Sequence, residues 1–208
     1  VAKSLVRELK FQPKRILELG CGSGQVYNHI SWDLDFYKAI DFSSSMCELH
    51  PKAQNVEVKC FDFDTQEFLD EIKDNDYEIV LSSSALQWSK DLSKIIKHLS
   101  SITKEINAVL FTSNTFKTIQ KITNTKSPIL DELSIKEAFS KYYTCEFETI
   151  MYKLEFDNKK DLFDYIKKSG VSGGNASLDF ADAKKLYKDY DLNYLEFEVI
   201  FVKTISKL

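Results

Sequence analysis

Apolar and polar positions along the chain change period repeatedly, and each change marks an element. Ile16, Leu17 and Leu19 form a short apolar run within 14–19 that stops at Gly20, Gly22 and Gly24. A helical spacing follows over 25–31, so the pattern predicts strand, tight turn, helix. Further apolar runs predict strands at 36–40, 56–61, 77–82 and 106–113, with amphipathic spacing over 65–73 and 91–104 between them. A short helix at 3–10 is set off from the first strand by Pro13. Alternating units of this kind make a parallel sheet, because strand-to-strand crossovers are right-handed. Past residue 113 the alternation lapses. Helical spacing appears at 116–125, 134–141, 158–168 and 180–190, and strand-like runs appear at 143–156 and 194–204. With no repeat or linker between these elements, the pattern predicts one α/β domain over 1–208.

The glycine turn carries the first chemistry. Glycine bends sharply and lets a ligand approach the backbone, and a helix starting near Gly24 is expected to present free N–H groups there. A dinucleotide fingerprint needs a third glycine where Gln25 stands, so pyrophosphate is disfavoured and an adenosine site is expected. Asp41 lies 21 residues after Gly20 at the tip of the second predicted strand. That spacing suits a carboxylate accepting from both ribose hydroxyls. The other reading of Asp41, shared with Ser43 and Ser44, is the N-cap of a helix that follows. Trp88, directly after the fourth strand, is either a wall of the reacting site or a packed aromatic.

Bulk properties narrow the class. The 208 residues are 43% hydrophobic and 29% charged, and no apolar run reaches a membrane-spanning length. A net charge of −4 argues against nucleic acid as the main partner. Cys21, Cys47, Cys60 and Cys145 are spread out, and His29, His50 and His98 lack metal-ligand spacing. A cytoplasmic protein without a metal is expected. The chain opens at Val1 without a methionine, so residues upstream are expected.

The segment Glu18-Leu19-Gly20-Cys21-Gly22-Ser23-Gly24 resembles motif I of class I S-adenosylmethionine (SAM) methyltransferases. Asp41-Phe42-Ser43, Asp62, Ser82 to Trp88, Leu110 to Ser113, Tyr165 to Val171 and Tyr194 to Val199 extend the likeness over nearly the whole chain. Together they are similar to the malonyl-acyl-carrier-protein O-methyltransferase family of biotin synthesis. The chain departs from that family's habit at Glu78, Ser83 and Asn114, where Asp, Asn and Gly are common. The resemblance implies a Rossmann-like seven-stranded sheet with helices on both faces, a last strand that runs antiparallel, and a substrate-side helical lid inserted at 114–141 and 158–190.

The same resemblance implies SAM as cofactor and S-adenosylhomocysteine as product. Its cofactor contacts would be Glu18, Gly20, Gly22, Gly24, Asp41, Phe42, Met46, Asp62, Phe63, Ser82 and Ser83, with Asp62 on the adenine amino group and Phe63 over the ring. A solvated acidic loop is the other reading of Asp62. Gln87 and Trp88 would position the acceptor, Tyr27 faces the cofactor or the core, and Lys167 or Lys168 would hold the acceptor carboxylate or lie in solvent. The implied acceptor is a malonyl carboxylate, already ionised and needing no general base. Another small carboxylic acid or a hydroxyl compound, or SAM binding without catalysis, are the alternatives.

An acidic acyl carrier protein as partner requires a local basic face. Over 89–128, seven lysines (Lys90, Lys94, Lys97, Lys104, Lys117, Lys121 and Lys126) stand against Asp91 and Glu105, a balance of +5. Lys117 and Lys121 fall one helical turn apart. A carrier-docking patch and an ordinary solvated helix surface are the two readings of these lysines.

Overall fold

The computed structural model describes residues 1–73, 76–169 and 180–208. Strands are β1 (Arg15–Leu19), β2 (Phe36–Asp41), β3 (Val56–Cys60), β4 (Ile79–Ser83), β5 (Ile106–Phe111), β6 (Tyr143–Glu155) and β7 (Tyr194–Lys207). Helices are α1 (Ala2–Arg7), α2 (Ser44–Leu49), α3 (Gln66–Ile72), α4 (Leu92–Ile102), α5 (Lys117–Thr123), α6 (Glu132–Ser140), α7 (Lys159–Ser169) and α8 (Phe180–Asp189). The seven strands lie in the order β3-β2-β1-β4-β5-β7-β6.

β1 pairs parallel with β2 and β4, β2 with β3, and β4 with β5. Only the last strand, β7, reverses direction, between β5 and β6. Thr112 N–H donates to the Glu198 carbonyl and Ile106 N–H to the Thr204 hydroxyl, so rising numbers on β5 meet falling numbers on β7. Phe156 to Asn193 and Leu208 to Tyr142 give β6 and β7 the same antiparallel sense. The sheet is therefore mixed, with its parallel strands ending at one edge.

The chain divides into two compact units, 1–110 with 133–148 and 200–208, and 111–132 with 149–199. The first holds a core of Leu17, Leu19, Ile40, Val80, Ile96 and Leu99, strand and helix faces buried together. Of the helices grouped by sequence as an insertion, α6 packs here through Ile135, Ala138 and Phe139. The second unit packs Phe116 just ahead of α5, Ile119 on it, Leu162 and Ile166 of α7, and Leu186 and Tyr190 around Leu195 and Phe197 of β7. Gly170 and Val171, quoted above for the family likeness, lie outside the described residues, as does the side chain of Lys168.

One element differs from its sequence expectation in a way that matters for the site. The helix expected at 25–31 is a turn followed by one 3-10 turn, Tyr27–His29. Val26 is the single fully buried residue between 25 and 31, so the segment has no apolar stripe to bury and little to stabilise a full helix. Asn28 N–H reaches Gly24 at helical spacing, after which the bonds tighten to three residues. The glycine turn thus stands without a helix N-terminus behind it.

Candidate active site at the glycine turn

Parallel register brings four strand ends to one edge: Leu19 faces Ile40, Asp41 faces Cys60, and Ser83 faces Val109. The turn after β1 hangs on its neighbour, with Gly20 and Cys21 N–H both donating to the Ile40 carbonyl at 2.7 and 3.0 Å. Gly20, Gly22 and Gly24 all have positive φ, but their surroundings differ. A Cβ on Gly20 would stand 2.0 Å from the Ala85 Cβ, and one on Gly24 2.4 Å from Pro51 Cδ. A Cβ on Gly22 would meet nothing within 4 Å. Two glycines are demanded by packing, and the middle one faces open space.

That space is a cleft of about 370 Å³ lined by Glu18, Gly20, Cys21, Gly22, Gln25, Val26, His29 and Ser83, with Val1, Ala2 and Lys3 at the end of α1. Its one buried charge is Glu18, 1% exposed. The Glu18 Oε2 accepts from the Tyr37 hydroxyl at 2.6 Å and stands 3.9 Å from His50 Nε2, ion-pair range without a hydrogen bond. His50 Nδ1 lies 2.9 Å from the Pro51 carbonyl, which can only accept, so Nδ1 carries a proton. Burial pushes the Glu18 pKa up, and the facing His50 and Tyr37 pull against it. For His50 burial opposes charging, yet the Glu18 carboxylate wins and the net direction is upward. Tyr27 belongs to this group, its ring 5.1 Å from Tyr37 and 5.5 Å from His50. An acid held in a fixed pose at the floor of a cleft suits a cationic ligand group.

Asp41 is 7% exposed and both carboxylate oxygens are engaged. Oδ2 accepts from Gly22 N–H at 2.8 Å and Oδ1 from Ser43 N–H at 2.9 Å. Ser43 occupies the N-cap position of α2, so Asp41 is not that cap. It fastens the open glycine to the tip of β2, and each oxygen keeps a lone pair for a ligand. Phe42, 73% exposed, and Met46, 39% exposed, flank it as uncovered apolar side chains.

The remaining candidates separate. Asp62 is exposed and accepts from Asp64 N–H at 2.9 Å. Phe63 is buried in the core beside Phe68. Ser82 is fully buried, its Oγ donating to the Leu19 carbonyl at 2.9 Å, a brace between β4 and β1. Gln87 is turned inward, its Nε2 donating 2.7 Å to the carbonyl of Ser84, which has φ 62°. Trp88 is 43% exposed at the end of the turn Leu86–Trp88, which leaves a large part of its ring uncovered. Lys167 is exposed on α7. Sequence reasoning missed Ala85, Tyr37 and His50, which reach the site only through folding. Among the described residues, no helix is long and apolar enough to cross a membrane.

Comparison with known proteins agrees with this arrangement. Residues 17–110 match the family model described as "Methyltransferase domain". A malonyl-[acyl-carrier protein] O-methyltransferase of Bacillus cereus is 26% identical over 180 residues, covering 77% of this chain. The chain spans 66% of that relative's length. The YcgJ protein of a Bacillus species has a similar fold, with a TM-score of 0.71 at 13% identity over 100% of this chain and 98% of its own. The plantazolicin methyltransferase BpumL, whose structure was determined with S-adenosylhomocysteine, has a TM-score of 0.53 at 12% identity over 98% of this chain and 80% of its own.

Proposed function

We propose that this chain, a class I SAM-dependent methyltransferase, methylates a small free carboxylate, and that its acceptor is a malonyl group carried on acyl carrier protein. The observation that supports SAM here is the pairing of an open glycine, Gly22, with the buried acid Glu18 in one cleft. A cofactor with a cationic amino-acid end and a ribose fits those groups in turn. Glu18 would take the ammonium, Gly22 gives close approach to the backbone, and Asp41 would accept from ribose hydroxyls beside exposed Phe42. When bound, SAM supplies an electrophilic methyl group. The acceptor reading rests on the likeness to the curated relative and remains a proposal of substrate.

A carboxylate acceptor asks little of the protein in proton transfer, because it is ionised at neutral pH. What remains is alignment and exclusion of water. With SAM bound, an anionic acceptor and the cationic cofactor would lose charge together, so residues that exclude water here would favour transfer. Trp88, exposed at the C-terminal edge of the sheet, is suited to cover the acceptor. Trp88→Ala is expected to cut turnover at least about tenfold, roughly 1.4 kcal/mol, with cofactor affinity little changed. Parallel losses of melting temperature and turnover would return Trp88 to a packing role. Incubation with methyl-labelled SAM tests the acceptor directly, with base-labile label expected on malonyl-carrier and then malonyl-coenzyme A. Transfer only to hydroxyl compounds would overturn the carboxylate reading.

Carrier recruitment is proposed at α5, where Lys117 and Lys121 are both exposed. Lys117→Glu with Lys121→Glu is expected to raise the KM for malonyl-carrier several-fold without affecting malonyl-coenzyme A, with salt mimicking the change. Unaltered carrier kinetics in that variant at low salt would move docking elsewhere.

A further inference from the structure

Two thiols meet at the tip of β2, on residues the proposed reaction does not use. Cys47, on α2, rests its Sγ 3.6 Å from the carbonyl oxygens of Asp41 and Lys59. Cys60, the last residue of β3, rests its Sγ 3.3 Å from the Phe42 carbonyl. Asp41 and Cys60 are register partners, so the contacts cross: Lys59 precedes Cys60, and Asp41 precedes Phe42. Both sulfurs therefore pack against the same short stretch of backbone, at the paired tips of β2 and β3. Cys60 is exposed and Cys47 partly so, whereas Cys21 is buried. Burial, with the neighbouring Cys60 sulfur adding to it, pushes the Cys47 thiol up to about 11. Cys60 is accordingly the sulfur that meets a reagent first, and Cys47 the one that resolves.

We propose that Cys47 and Cys60 form a dithiol that closes reversibly to a disulfide on meeting a low-molecular-weight disulfide such as oxidised glutathione, and that closure lowers cofactor affinity. The second half rests on the reading of Asp41 as a cofactor residue. In the first step the Cys60 thiol gives up its proton and its sulfur attacks one sulfur of the glutathione disulfide. That S–S bond breaks, and one glutathione leaves as a thiolate that takes up a proton. In the second step the deprotonated Cys47 sulfur attacks the Cys60 sulfur and expels the other glutathione. Two cysteine thiols are oxidised by two electrons, and one glutathione disulfide is reduced to two thiols.

Closure reaches Asp41 because a disulfide holds its sulfurs about 2 Å apart, closer than any non-bonded pair of sulfurs. Drawing them together takes Cys47 off the Asp41 carbonyl and Cys60 off the Phe42 carbonyl. Asp41 is tied at both oxygens to Gly22 and Ser43, so a displaced tip pulls on the glycine turn.

The test treats the reduced chain with oxidised glutathione and follows it by intact mass, peptide mapping and calorimetry with S-adenosylhomocysteine. The expected product has lost two of its four thiols, is two hydrogens lighter, and joins Cys47 to Cys60. Its affinity is expected to fall by about tenfold or more, returning with dithiothreitol. Cys47→Ser should stop the reaction at a glutathione adduct on Cys60. A stable adduct on Cys60 of the unaltered chain, or a bridge to another cysteine, overturns the dithiol. A Cys47–Cys60 bridge with unchanged affinity overturns the regulatory half. Absence of S-adenosylhomocysteine binding by the fully reduced chain sinks the cofactor reading and the affinity half with it, while the mass data decide the dithiol independently.

Discussion

Replacing Gly22 by valine is expected to abolish cofactor binding while leaving the fold standing. The backbone there has φ +51°, inside the left-handed region, and a side chain would project into open cleft rather than protein. The cost to folding is then mainly conformational, about 1–2 kcal/mol for a non-glycine residue. The cost to binding is steric, because the added atoms occupy the volume the ligand needs beside Glu18. An affinity loss of at least about 100-fold, near 2.7 kcal/mol, is expected for S-adenosylhomocysteine. Gly22→Ala should lie between. Calorimetry checks the affinity and thermal unfolding checks the fold. Undiminished binding by Gly22→Val would remove the cofactor from this turn, and with it the proposed reaction.

Gly20→Ala, two residues away, is expected to do the reverse and damage the fold itself. A single methyl at Gly20 would stand 2.0 Å from the Ala85 Cβ, a separation no pair of carbons tolerates, and φ there is +72°. Overpacking of about 1–3 kcal/mol adds to left-handed strain of about 1–2 kcal/mol, for a total near 2–5 kcal/mol. At roughly 2–4 °C per kcal/mol for a chain of this size, the melting temperature should drop by about 4–20 °C. Ala85→Gly in the same chain should recover the overpacking part and leave the strain. Absence of any such recovery would mean that the two positions do not touch. The contrast separates a glycine kept for packing from one kept for access.

The turn, its flanking strand and the order of the early elements were legible in the sequence because they depend on neighbours along the chain. Ile16, Leu17 and Leu19 ahead of three spaced glycines specify strand and turn with little help from elsewhere. The spacing of Asp41 from Gly20 likewise follows from the length of one β-turn-β unit, and places the acid at a strand tip. The helix expected at 25–31 failed for a reason the pattern did not carry, since spacing does not say that the fold buries Val26 alone in that segment.

Contacts between distant segments were decided by tertiary structure alone. Motif I does not distinguish its glycines; the approach of Ala85 to Gly20, of Pro51 to Gly24, and of nothing to Gly22 does. Glu18 reads as a motif acid, but its companions Tyr37 and His50 come from β2 and the end of α2, at separations no periodicity encodes. Cys47 and Cys60 look unrelated in sequence and become neighbours only because β2 and β3 pair in one register. Gln87 and Trp88, adjacent in the chain, part ways when Gln87 turns inward to Ser84 and Trp88 stays exposed. Local preference sets which residues form a strand or a turn, whereas the packing of elements against one another sets which side chains meet there.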